Sequence, residues 1–222
     1  MISPILPLLV FLLFYKKLNG REIYVLLSYI LYSFLTDMTS KGLEAFGIPK
    51  QVFAPFIYSL FTVAEFTAFA LFFYYILKKS IIRTLIRIVI FAFPLFEVVN
   101  LILINNNNTP FDTFPVVFQA ICIMTLCVIY FFDQIREPKT LFIYTTFEFW
   151  AVTGILIYLS GTFFIYMFTY SMTDEELDRY WFINYIFNII KNLFLALAFY
   201  VKTRKSKSEL EDHSLEYINN RY

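Results

Sequence analysis

The sequence predicts an all-α, polytopic membrane protein, a seven-transmembrane-helix bundle with its N-terminus outside and its C-terminus in the cytoplasm. Three observations carry this expectation. The chain of 222 residues is 59% hydrophobic, 22% aromatic and only 16% charged, far from the balance of a soluble globular domain. Apolar runs recur along its whole length, broken by short polar stretches. The Lys and Arg residues fall overwhelmingly into alternate connections. Five glycines and eight prolines leave no room for long flexible linkers, so residues 1-201 read as one transmembrane domain and residues 202-222 as a cytoplasmic tail.

Ile2 to Tyr15 is apolar, with Lys16, Lys17 and Arg21 behind it. A cleavable leader has its charge in front, so this reads as a short first span. Ile23 to Thr36 is a short, tyrosine-rich second span, and Asp37 to Gln51 a polar connection marked by Gly42, Gly47 and Pro49. Val52 to Leu77 forms the third span and Ile82 to Ile104, interrupted by Pro94, the fourth. A turn-rich loop, Asn105 to Asp112, leads into the fifth, Thr113 to Phe132. Leu141 to about Tyr170 is the sixth, long enough at ~1.5 Å per residue to demand a steep tilt or a projection beyond the hydrocarbon. Tyr180 to Val201 is the seventh. The first and fifth spans share no pattern, nor do the third and seventh beyond one midpoint charge each, so no internal repeat is expected.

Of the 18 Lys and Arg residues, 14 fall on one side: Lys16, Lys17 and Arg21; Lys78, Lys79, Arg83 and Arg87; Arg136 and Lys139; and Lys202, Arg204, Lys205, Lys207 and Arg221. Lys41, Lys50 and Arg179 are the 3 on the other, and Lys191 lies within a span. Positive charge is retained in the cytoplasm, which fixes the orientation. The tail is basic to Lys207 and then acidic, as expected of a segment that meets lipid headgroups. His213, the single histidine, reads as solvated, and Asn107-Asn108-Thr109 matches a short glycosylation sequon. Cys122 and Cys127, five apart in one apolar run, suit neither a helical disulfide nor a zinc site and read as packing thiols.

The polar residues inside the spans carry the functional expectation, because a charge at a helix centre costs at least ~2.5–3.5 kcal/mol and needs a partner or a task. Asn184, Asn188, Lys191 and Asn192 fall on one helical face at ~100° per residue. Glu65 is at the midpoint of the third span, so a salt bridge to Lys191 would mask both charges. Glu97 and Asn100, one turn apart beyond Pro94, would line an outward pocket or pack the bundle. Glu148 reads as meeting the interface or a basic loop residue such as Arg83 or Arg87. Gly154 and Gly161 share a face with Ala151 and Tyr158, letting a neighbouring helix approach closely. Tyr29, Tyr32 and Ser33 give the second span a polar face. The candidate ligand-binding set is therefore Glu65, Glu97, Asn100, Tyr158, Asn184, Asn188, Lys191 and Asn192.

No HExxH, GxSxG, Walker loop or paired-cysteine motif occurs, and no span contains a histidine. The chain therefore reads as a non-enzyme with no metal site and no nucleic-acid partner. A lysine in helix seven facing a carboxylate in helix three resembles the rhodopsin plan, which would make Lys191 a retinal attachment point and Glu65 its counter-ion. Helix seven lacks that family's aspartate a turn before the lysine, and no Arg or Trp flanks Glu65. A second resemblance covers the last two spans and the run Ala64-Glu65-Phe66. The phrasing Phe149-Trp150, Gly154-Ile-Leu-Ile-Tyr158, Ser160-Gly161-Thr162, Trp181-Phe-Ile-Asn184 and Phe187-Asn188-Ile-Ile-Lys191-Asn192 is similar to small bacterial seven-span proteins associated with sensor histidine kinases. That resemblance implies a receptor-like or accessory sensory protein of the bacterial inner membrane. It would bind a small or lipophilic ligand between helices three and seven and signal through a histidine kinase or other membrane partner, since no output domain is present. A proton-coupled or small-molecule transporter using Glu65, Glu97 and Lys191 is the alternative from another class.

Overall fold

The computed structural model describes residues 3–104, 113–136, 142–168 and 172–219, with side chains omitted at 50, 51, 103, 104, 174, 177, 178 and 205–219. Seven α-helices make up the described chain, and no strand occurs among the described residues. They are α1 (Ile5–Phe14), α2 (Arg21–Ala45), α3 (Lys50–Ile76), α4 (Ser80–Ile104), α5 (Thr113–Arg136), α6 (Phe147–Phe168) and α7 (Asp174–Asn219). Six of them, α2 to α7, are long and apolar enough to cross a membrane, as expected of a multi-pass membrane protein. α1 has 10 residues, about half the length that a full crossing requires.

The boundaries follow from local chemistry. α2 begins after Gly20, whose φ of 150° suits glycine, and runs nine residues beyond Thr36 to Ala45. The stretch expected to be a connection is therefore mostly helix. Nothing in Asp37 to Glu44 breaks one until Gly47, whose φ of 77° ends the helix as Ile48 N–H bonds back to the Leu43 carbonyl. The sixth span also differs from expectation. Ile143–Thr145 forms a 3₁₀ turn, and the Thr146 hydroxyl accepts a hydrogen bond from Phe149 N–H at the helix entrance. α6 is consequently 22 residues, close to the bilayer's thickness, and no unusual tilt is required. At the start of α7, Thr173 and Glu176 bond reciprocally in a capping box, and those bonds hold the exposed Glu176 carboxyl below its ordinary value. α7 then continues as helix to Asn219, so the tail's backbone extends the last span. The loop 105–112 with its sequon, Lys139 and Arg221, and the side chain of His213 lie outside what is described.

The helices form a ring. α1 packs on α7 and α2, α2 on α3, α3 on α5, α5 on α6, and α6 on α7, which closes it; α4 lies outside, against α3 and α5. Only one face of α4 is buried, marked by Ile86, Phe93, Glu97 and Asn100, with Phe93 stacked on Phe66 at 4.1 Å between ring centroids. Its opposite face, with Ile81, Ile88, Phe91, Leu95 and Ile102, is exposed and, beyond Thr84 and Arg87 near the basic end, apolar, suited to acyl chains. α6 and α7 make the tightest pairing because α6 offers glycine there. A Cβ at Gly154 would stand 2.5 Å from the Phe194 Cβ, and one at Gly161 2.3 Å from the Phe187 ring. α1 runs beside the middle of α7: Ser3 meets Asn192, Phe11 packs on Phe199 and Phe14 on Tyr200. Cys127 is buried and Cys122 half-buried, and both are free thiols. At the basic end Lys79 pairs with Asp133. Arg83 donates to the Leu77 carbonyl and sits over the Tyr74 ring, while Arg87 reaches Thr84. Both arginines are thus engaged near their own helix and not with Glu148, which is half-buried.

Candidate functional site

Five helices of the ring send one polar side chain each to a common point. Glu65 of α3 is at its centre, buried with 5% of its surface exposed. Its Oε1 accepts a hydrogen bond from the Tyr29 hydroxyl of α2 at 2.6 Å, and its Oε2 one from the Gln119 amide of α5 at 2.7 Å. Lys191 of α7, only 1% exposed, places Nζ 3.7 Å from Glu65 Oε1. The same ammonium donates to the Tyr29 oxygen, so the phenol bridges cation and anion. Nζ also rests 3.9 Å from the centre of the Tyr158 ring of α6 and 4.9 Å from that of Tyr29.

The spacing of the sequence delivers these groups. Glu65 sits mid-helix on the face of α3 that also carries Thr62 and Phe69, all buried. Lys191 lies on the buried edge of α7 with Asn184, Asn192 and Leu195. An isolated charge in such surroundings would be strongly disfavoured, whereas the pair, with hydrogen bonds to the carboxylate and an aromatic face on the ammonium, is compensated. Gln119 Oε1 is the exception, buried with no hydrogen-bond partner among the described residues. Chemically, a phenol shared between an ammonium and a carboxylate can relay a proton, and it ties α2, α3 and α7 to one electrostatic arrangement.

A cavity of about 390 Å³ opens above this point, toward the end of the bundle where α2 finishes and α7 starts. Glu65 and Tyr158 lie at its inner limit. α2 lines it with Ser33, Thr36, Asp37, Ser40, Lys41 and Glu44, one continuous helical stripe. α3 adds Tyr58, Phe61 and Thr62, and α6 and α7 add Tyr166, Trp181, Asn184, Tyr185 and Asn188. The Tyr166 hydroxyl donates to Asn184 Oδ1 at 3.3 Å, and the Tyr166 and Trp181 rings stand edge to face at 6.0 Å and 87°.

Of the residues expected to bind a ligand, Glu65, Tyr158, Asn184 and Asn188 line this cavity. Lys191 is joined to it only through Glu65, Tyr29 and Tyr158. Asn192 turns to the other side of α7, donating to Ser3 Oγ and Asn188 Oδ1, each at 3.0 Å. Glu97 and Asn100 are buried on the inner face of α4, outside the cavity lining. The polar stripe of α7 is thus shared among a cavity, an ion pair and a helix contact. Tyr29 was legible as polar but not as the bridge. Gln119 gave no signal beyond being an amide in an apolar run, and Asp37 to Glu44 were masked by their loop-like polarity. Extending the spacing of Tyr29 and Ser33 to Asp37, Ser40 and Glu44 would have revealed the stripe.

A retinal aldehyde would have to reach Lys191 Nζ, which is enclosed by Tyr29, Tyr158 and Glu65 and absent from the cavity lining, so these surroundings do not fit that group. Among the described residues, no cluster of three or more His, Cys, Asp or Glu side chains is placed to hold a metal ion. No family model, curated protein or solved structure matches the chain.

Proposed function

We propose that this chain is a receptor-like or accessory sensory protein of a bacterial inner membrane, which binds a small ligand in the cavity and signals through a separate partner chain. The observation that carries this reading is the position of the cavity directly against Glu65, whose ion pair with Lys191 joins helices on opposite sides of the ring. A ligand that competes for the carboxylate alters the balance between α3 and α7, and α7 carries that change along an unbroken helix toward the basic end. The proposed topology has α2 to α7 as the crossings, the cavity open to the outside and Lys78 and Arg204 in the cytoplasm, on the strength of the lysine and arginine distribution.

The transport alternative is favoured by one observation, the Tyr29 bridge, which could serve a proton path between Glu65 and Lys191. One experiment separates the two. Spin labels are placed at Lys78→Cys and Arg204→Cys in a Cys122→Ala/Cys127→Ala background, and distances are measured with and without Lys191→Met. The same proteins in proteoliposomes are assayed for proton flux. A receptor shows a changed distance distribution on loss of the lysine and no flux. Unchanged distances contradict the receptor reading, and a flux abolished by Glu65→Gln replaces it with transport.

A further inference from the structure

Resting on the reading of the cavity as a ligand site, we infer that its ligand is a small organic cation, an amine or quaternary ammonium. The first observation is electrostatic. The carboxylates of Asp37, Glu44 and Glu65 reach the lining, against a single ammonium, that of Lys41. No arginine or histidine is among the lining residues. Glu65 is paired with Lys191, which is held behind it between Tyr29 and the face of Tyr158, so the remaining balance at the lining is Asp37 and Glu44 against Lys41, one net negative charge. An anion entering the cavity would meet a field of its own sign in a setting of low dielectric. A neutral lipophile would strip water from carboxylates and from Asn184 and Asn188 and return no hydrogen bonds.

The second observation is the shape and chemistry of the walls. Tyr58, Phe61, Tyr158, Tyr166, Trp181 and Tyr185 all line the cavity. Tyr166 and Trp181 meet almost at right angles, 87°, forming a corner of two aromatic surfaces. Ring faces carry negative electrostatic potential, and several of them around one volume form the kind of box that holds an ammonium without demanding directional hydrogen bonds. The bundle already uses that interaction next door, where the Lys191 ammonium sits 3.9 Å from the centre of the Tyr158 ring. A volume of about 390 Å³ admits a choline-sized head with an alkyl or aryl substituent.

The chain has two tryptophans, Trp150 and Trp181, and only Trp181 lines the cavity. In Trp150→Phe the remaining indole reports occupancy. Choline and benzyltrimethylammonium are titrated against neohexanol, the uncharged carbon analogue of choline, and against benzoate, with the protein in nanodiscs. Both cations are expected to give a saturable change in Trp181 emission, with apparent affinity at least ~10-fold above that of neohexanol or benzoate. Asp37→Asn/Glu44→Gln should weaken choline roughly 5-fold and leave neohexanol unchanged. Should Trp150→Phe not fold, calorimetric titration of the unaltered protein gives the same comparison. Neohexanol or benzoate binding as tightly as choline overturns the cationic assignment while retaining the cavity as a ligand site. Silence from all four probes also overturns it; the interhelical distance experiment above is independent of these probes and then decides whether the receptor reading falls as well.

Discussion

Glu65 and Lys191 define the behaviour of this protein at the scale of single residues. Each is buried, and each is compensated by the other and by Tyr29, Gln119 and Tyr158. Removing one member leaves an uncompensated charge, a loss of ~3–5 kcal/mol by comparison with other buried pairs. Glu65→Gln and Lys191→Met are therefore each expected to lower the unfolding midpoint sharply. The double variant should recover part of the loss, giving a coupling of ~1–3 kcal/mol in a double-mutant cycle. Additive losses would show that the two charges are stabilised separately. This pair was legible in the sequence because charge in an apolar run is costly and two opposite charges at equal depth are complementary. Tyr29 and Gln119 were not, since tyrosine and glutamine occur in spans for many reasons and only packing chooses among them.

Among the elements, α6 and α7 form the joint on which the site depends. Gly154 meets the base of Phe194, and Gly161 meets the ring of Phe187. Alanine at position 154 would gain ~1 kcal/mol of helical propensity. It would also force apart two helices whose contact lies at a Cβ, not at a mobile side-chain tip, and such overpacking costs ~1–3 kcal/mol. Overpacking wins, so Gly154→Ala should lower thermal stability in nanodiscs; an increase would mean that the helices are free to separate. The small-residue face was readable from the spacing of Gly154 and Gly161 alone. The length of α2 was not, because a polar segment at the end of a span looks like a loop until one asks whether its residues share a face. Asp37, Ser40, Lys41 and Glu44 do share one, and it lines the cavity.

At the scale of the molecule, the long apolar spans and the segregation of positive charge were plain from sequence, because a bilayer dictates helix length and charge placement so strictly. The ring order, with α4 outside and α1 against the middle of α7, depends on which faces meet, and no local pattern encodes that. What the ring creates is a polar cavity within an otherwise apolar bundle, ending on a buried ion pair. The most direct test is the accessibility of single cysteines to a membrane-impermeant thiol reagent in the Cys122→Ala/Cys127→Ala background. Ser33→Cys and Asn188→Cys, both in the cavity lining, are expected to react when the reagent is applied from the Lys41 side, and Leu95→Cys on the apolar face of α4 is expected not to react from either side. Cavity cysteines that stay unreactive, or that react only from the Lys78 side, would contradict a ligand site open to the outside.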